Sequence, residues 1–226
     1  MTTYADLRSA VSRDLRDPDN QTFEDPTVKD LVNAALAQIG RIAPQRFQED
    51  LTPVADAMSY PLQDAVFGRT VPEIELIRVE LWDSSLTPPD QIARIEPADQ
   101  AYVNDSTTGW KVWDGTLELP RYVPVFIAGS ESNYLIRVWG YCPYPPLYDD
   151  EDIVPVSNER ENALRVYCQV EAYRRLMSDR SLFTQWQTRS NNSDVSPASL
   201  MNGFSLAQDE WRRLSRAITV LRENPG

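Results

Sequence analysis

Residues with chemical capacity fall in three groups. Glu73, Glu75, Glu80 and Glu118 share one stretch of the chain with Trp82, Trp110, Trp113 and Trp139. Paired carboxylates can act as acid and nucleophile on a glycosidic bond, and indole rings make a platform for a sugar. Asp149, Asp150, Glu151 and Asp152 form an acidic run that could meet a divalent cation. Arg212, Arg213, Arg216 and Arg222 place guanidinium groups near the end, where they could meet phosphate or carboxylate. Each group also has a simpler reading. The four glutamates alternate with apolar residues, as on the wet face of a strand, and the tryptophans suit the core of a β-domain. Consecutive acids without a glycine-containing loop make a solvated turn. The arginines are diluted by Asp209, Glu210 and Glu223, as on a solvated helix face or a surface for an acidic protein.

The absence of histidine among 226 residues removes several chemistries together. Ser-His-Asp and Cys-His triads, histidine zinc sites and the usual proton shuttle all need an imidazole. The eight glycines form neither G-x-G-x-x-G nor a phosphate-binding P-loop, and no G-x-S-x-G elbow occurs. Cys142 and Cys168 fall in different predicted elements without metal spacing and read as buried thiols. The expectation is a protein without catalytic residues, cofactor, metal or small-molecule substrate.

The net charge of −12 is unevenly spread. Residues 1–50 carry 6 basic and 9 acidic side chains, residues 51–156 carry 6 and 17, and residues 157–226 carry 10 and 8. An acidic middle argues against sequence-specific DNA binding there. Only two of the 22 basic residues are lysine, which favours forked contacts to carboxylates. No apolar run approaches the roughly 20 residues that span a bilayer. The polar, periodic start MTTYADLRSAVSRDL is unlike a signal peptide, so a soluble, non-secreted protein is expected.

Helical periodicity occupies both ends of the chain. Tyr4, Leu7, Val11 and Leu15 make one stripe, and Val28, Leu31, Val32, Ala35, Leu36, Ile39 and Ile42 make a second. Asp25 is the expected cap of the second helix, with Pro26 at its first position and Pro44 beyond its end. From about residue 46 the period becomes two. EIELIRVELWD alternates Ile77, Val79 and Leu81 with Arg78 and Glu80, and WKVWDGTLEL carries a hairpin turn at Asp114-Gly115. NYLIRVWGY is apolar on both faces, as a central strand is. The PYPPLY segment reads as a rigid exit, with a polyproline ligand as its alternative. Asn158 and Glu161 then suggest a capping pair, and Ser196-Pro197 opens a last helix. That helix carries Leu200, Phe204, Ala207, Trp211, Leu214, Ile218 and Leu221 at heptad spacing. The predicted fold is α+β: a helical bundle from both chain ends with an inserted small antiparallel sandwich or barrel. Residues 1–45 form its first helix pair, 46–156 the β-domain and linker, and 157–226 the closing helices and tail.

Several of these segments together carry a resemblance. RDLRDPD followed by TFEDPTVKDLVNAALAQIGRIAP resembles the N-terminal part of head–tail adaptor (connector) proteins of tailed bacteriophages. The hairpin at WKVWDG, the helix with Arg165, Tyr167 and Tyr173, and the stretch WQTRSNNSDVSPASLMN fit the same family. The pattern covers nearly the whole chain and contains no invariant catalytic motif.

The resemblance implies a structural virion protein of the neck, assembled in the host cytoplasm. Such adaptors form a ring of about twelve copies beneath the portal protein. The ring extends the DNA channel and is a platform for the next neck or tail-completion protein. Genomic DNA passes without specific binding, and an acidic lining would suit that passage. In several members of the family the C-terminal segment docks on the portal, which would assign that role to Phe204, Trp211, Arg212, Arg213, Arg216 and Arg222. Asp149, Asp150, Glu151 and Asp152 become a candidate channel or platform surface. Two alternatives stand: another ring-forming neck, tail-completion or stopper protein, and a carbohydrate-binding or carbohydrate-active β-domain.

Overall fold

A computed structural model describes residues 2–54, 57–62, 75–98, 109–120, 133–190 and 192–223, with backbone alone for 219–223. Among them the chain is mixed α+β, with five helices and two antiparallel sheets. It divides into two compact units, Met1–Ala43 with Tyr144–Gly226, and Pro44–Pro143. The 144–156 segment, expected with the β-region, therefore belongs to the helical unit.

Local chemistry explains the helices of the first unit. Helix α1 (Tyr4–Asp14) opens with a capping box in which Thr3 and Asp6 exchange side-chain and backbone hydrogen bonds. Helix α2 (Asp25–Ile42) buries Val28, Leu31, Val32, Ala35, Leu36 and Ile39, as its spacing requires. Its N-cap is Glu24, without a side-chain bond. Asp25, the expected cap, lies in the first turn and accepts from the Asn20 amide at 2.7 Å. Helix α3 (Asn158–Ser178) is likewise capped one residue early, at Ser157. Glu161 does not reach back but accepts from the Thr2 hydroxyl at 2.8 Å. Asp179 caps α4 (Arg180–Arg189) by accepting from the N–H groups of Ser181 and Leu182. Helix α5 (Pro197–Glu223) starts behind Ser196, whose hydroxyl accepts from the Ser199 N–H at 3.1 Å.

Tertiary packing uses the α5 stripe within the chain. Leu200, Ala207 and Ile218 are buried, and Phe204, Trp211 and Leu214 half-buried. The Leu221 side chain lies outside the described residues. The stripe meets α3. There the Trp211 ring stands edge-on to Tyr167, with centroids 4.9 Å apart. Gly203 lies beside the Tyr173 ring, where a β-carbon would make an ordinary van der Waals contact at 3.6 Å.

One buried carboxylate joins this unit's ends. Asp17 is 1% exposed and follows α1 in a turn where Arg16 and Asn20 take left-handed backbone angles. Its Oδ2 accepts from the N–H groups of Thr22 (2.9 Å) and Phe23 (2.7 Å). Its Oδ1 accepts from the Gln21 N–H (2.9 Å) and the Ser190 hydroxyl (2.7 Å), the latter beyond α4. Around it the Trp186 indole N–H donates to the Leu15 carbonyl, and the Asn192 amide to that of Arg16, both at 3.0 Å. Arg165 of α3 forks onto Asp14 of α1 at 2.7 and 2.8 Å.

The second unit holds both sheets. The larger runs β1 (Gln45–Leu51), β7 (Tyr134–Cys142), β3 (Glu75–Asp83), β4 (Asp90–Ile95), so the strand apolar on both faces lies between two others. The smaller runs β2 (Ser59–Pro61), β6 (Thr116–Glu118), β5 (Lys111–Trp113). Asp114 and Gly115, with φ of 46° and 69°, make the turn between β5 and β6, as the Asp-Gly pair predicts. Alternation fails at one predicted place. The register on β7 slips between Leu76 and Arg78, leaving Ile77 as an extra residue, 53% exposed. Leu76, not Ile77, therefore joins Val79 and Leu81 in the core. Gly140 is required opposite, because a β-carbon there would lie 2.3 Å from the Glu75 carbonyl oxygen.

Asp17→Ala would leave buried backbone donors without an acceptor, so we expect a loss of roughly 3–5 kcal/mol of stability. Asp17→Asn, which keeps one carbonyl oxygen, should lose less. Equilibrium urea unfolding checks both; an unchanged midpoint for the alanine variant would remove Asp17 from its central place.

Candidate functional site

The arginines at the chain's end divide by their partners. Arg212 contacts Asp209 at 3.1 Å, and Arg213 forks onto Glu210, its Nε at 2.8 Å, each pair one helical turn apart. The Arg213 bond holds the Glu210 carboxyl below its ordinary range. These pairs are solvent-exposed and contribute little to stability. Arg216 is exposed, and the Arg222 side chain lies outside the described residues. Trp211 packs on the core against Tyr167 of α3, Phe204 is half-buried, and Arg212, Arg213 and Arg216 are exposed. The docking set proposed from sequence thus separates into a core-packed Trp211, a half-buried Phe204 and the exposed Arg212, Arg213 and Arg216.

The acidic run is built into the start of α1. The carbonyls of Asp152 and Asp150 accept from the N–H groups of Tyr4 (2.8 Å) and Ala5 (3.2 Å). A helix N-terminus has free donors, and these two are satisfied by the turn's backbone. The Asp152 carboxylate accepts from the N–H groups of Asp149 (2.9 Å) and Tyr148 (2.7 Å), which hold its carboxyl below the ordinary range. Asp150 meets Arg8 at 3.2 Å. Asp149, Asp150 and Glu151 remain exposed. Among the described residues no group of three metal-ligating side chains could hold an ion. The arrangement presents negative charge at a turn whose own hydrogen bonds are closed.

The second unit rearranges the carboxylates and tryptophans. Glu80, expected on a wet face, is 1% exposed. It accepts from Arg78 Nε at 2.7 Å and from the Trp82 indole N–H at 2.8 Å. The strand register sets Arg94, Glu80, Arg137 and Asp50 opposite one another in a row of alternating charge. Arg137 forks onto Asp50 at 2.6 and 2.7 Å and lies 4.6 Å over the Trp82 ring. Arg78 lies 4.1 Å over Trp139. Of the four tryptophans only Trp110 is in the core, its indole N–H donating to the Ile95 carbonyl at 2.9 Å. Trp113 is 75% exposed. Glu118 pairs with Lys111 at 2.8 Å, Glu75 is exposed, and Glu73 lies outside the described residues. Guanidinium groups cover the indole faces of Trp82 and Trp139 that a sugar would need.

Sequence spacing alone missed one feature. Apolar side chains off the α5 stripe are exposed, Met201 at 60% and Leu206 at 72%. The signal was present in the sequence, since both fall between the heptad positions. Among the described residues no helix is long and apolar enough to cross a membrane. Compared with known proteins, the chain matches no protein-family model and no curated protein.

Two outcomes test the α1 junction and the α5 seam. The Tyr4 hydroxyl is buried with no hydrogen-bond partner among the described residues, and burial, against the nearby Arg8, pushes its pKa up to about 12. The folded state thus disfavours tyrosinate: its contribution is complete below the unfolded pKa of about 10 and is lost as pH rises through about 12. Burial also raises Tyr167 and Tyr173, so ultraviolet titration should show a late phase that Tyr4→Phe diminishes by one tyrosine, and that variant should melt no lower than the parent. Trp211→Ala should cost about 3 kcal/mol by opening the contact with Tyr167, read as a lowered melting temperature.

Proposed function

We propose that this protein is a structural head-to-tail adaptor of a tailed bacteriophage virion, with no catalytic role. It forms a ring under the portal, continues the DNA channel and carries the next neck or tail-completion protein. The finer fold belongs to the same proposal: a helical bundle closed by both chain ends, with an inserted β-sandwich or barrel. The observation that carries the reading is the order of parts. The helix pair, its RDLRDPD turn, the β unit and the returning helices follow one another as the family resemblance implies, and both chain ends lie in one unit.

Physical support comes from the surfaces. A ring subunit needs two different faces that meet by rotation. The exposed arginine strip of α5 and the exposed acids of the 149–152 turn belong to one unit and carry opposite charge. Docking on the portal by the end of α5 is assigned to Arg212, Arg213, Arg216 and Arg222, with Phe204 on the same helix and Trp211 holding that helix against α3. Acidic surface repels DNA phosphates, so a genome slides past without adhering.

Electron micrographs of purified portal mixed with the protein should show an added ring of the portal's symmetry. A ring of another symmetry, stacked elsewhere in the neck, would favour the stopper or tail-completion reading. The decisive variant removes residues 219–226 and keeps Ile218, the last described core side chain of α5. We expect it to fold and to co-sediment poorly with portal-bearing capsids. Charge reversal at Arg216 and Arg222 should weaken binding in a salt-dependent way. Undiminished co-sedimentation of both variants would move the docking surface away from this helix end.

A further inference from the structure

We propose that copies of this chain join head to tail, the acidic turn 148–153 of one copy seating in an apolar groove of the next. The groove lies among the end of α3, the face of α4 and the start of α5, and encloses about 550 Å³. Leu176, Met177, Phe183, Leu200 and Met201 line it, with Arg180 among them. Met177 and Met201 are 37% and 60% exposed. Thioether side chains of this kind adapt to the shape of what they take in.

Complementarity names the occupant. The 148–153 turn presents exposed Tyr148 (64%) and Ile153 (44%) on either side of the exposed acids. Asp150 is engaged by Arg8 and the Tyr148 ring by Lys29 on one side, which leaves Asp149 and Glu151 as the anions offered. The corner between α3 and α4 presents exposed Arg174, Arg175 and Arg180. Arg174 is engaged by Glu171, and the Oδ1 of Asp179 accepts from the N–H groups of Ser181 and Leu182 that it caps. Arg180 in the groove and Arg175 at the same α3–α4 corner are thus the cations offered, and the turn offers anions bracketed by apolar groups.

The two surfaces of one copy cannot meet. Thr2 accepts from the Val154 N–H through its carbonyl and donates to Glu161 through its hydroxyl, which fixes the turn at the N-terminal end of α3. The groove is at Leu176 and Met177, the other end of that helix. At about 1.5 Å per residue these ends are roughly 24 Å apart. The turn is also closed on itself by the Asp152 carboxylate. A second copy can satisfy both surfaces, in a heterologous contact that repeats from copy to copy. The inference deepens the ring reading and rests on it for closure of the repeat.

Thiol cross-linking tests the contact on the full chain. The native Cys142 and Cys168 are buried and should not react. With a short bis-maleimide at high protein concentration, the double variant Ile153→Cys with Met201→Cys should give a ladder of oligomers. Each single variant alone should stay monomeric, and an equal mixture of the two should stop at the dimer. Adding Arg180→Glu to the double variant should reduce the ladder about tenfold, and Glu151→Arg in the same chain should restore it. A double variant without a ladder, single variants that dimerise, or a yield indifferent to Arg180→Glu would each overturn the proposal. Micrographs separate it from the ring reading. Portal-bound rings without the ladder would remove this contact alone. A ladder without portal-bound rings would keep the contact and remove the adaptor role.

Discussion

A buried carboxylate is costly to keep unless its oxygens are filled with donors, and Asp17 fills them with three backbone N–H groups and a hydroxyl. This constraint organises the helical unit. It shapes the turn between α1 and α2, since Gln21, Thr22 and Phe23 must point their N–H groups inward. Through Ser190 it also fixes the segment after α4, some 170 residues later. Trp186, Asn192 and the Thr22 hydroxyl add bonds across the same seam. Removing the anion would strand donors from both ends of the chain together, at the edge of an apolar core that both ends also share.

Arginine serves the rest of the molecule in a related way. The fork from Arg165 to Asp14 joins α3 to α1, and the fork from Arg137 to Asp50 joins β7 to β1. A planar guanidinium can bind a carboxylate edge and lie on an indole face together, which a lysine cannot do. Arg78 and Arg137 do both on the larger sheet. Internal pairing of this kind takes up cations, and the surplus of acids is left for the surface. The 149–152 turn is one place where that surplus is presented on a closed backbone.

The heptad stripe of α5 illustrates how spacing and role separate. The stripe suggested a helix in search of a partner, and within the chain α3 is that partner. Side chains outside the stripe, Met201 and Leu206, carry the apolar exposure instead. The interaction potential of this helix therefore lies off its most regular pattern.

By itself the sequence determined the helices at both ends, the change to strand periodicity between them, the Asp114-Gly115 turn and the buried face of α2. These depend on local rules, the period of apolar residues and the backbone preferences of Pro, Gly and Asp. Caps were legible only to within a residue, because Glu24 and Ser157 needed merely the right backbone angles, while Asp25 and Glu161 found bonds to Asn20 and Thr2. Tertiary structure decided whatever depended on pairing across the chain. A bulge at Ile77 turned that residue outward, and the strand register buried Glu80 between Arg78 and Trp82. It closed the acidic turn over the start of α1 and gathered the groove from three helices. A period constrains one element at a time, whereas a buried charge or a shared groove is set by partners that only folding brings together.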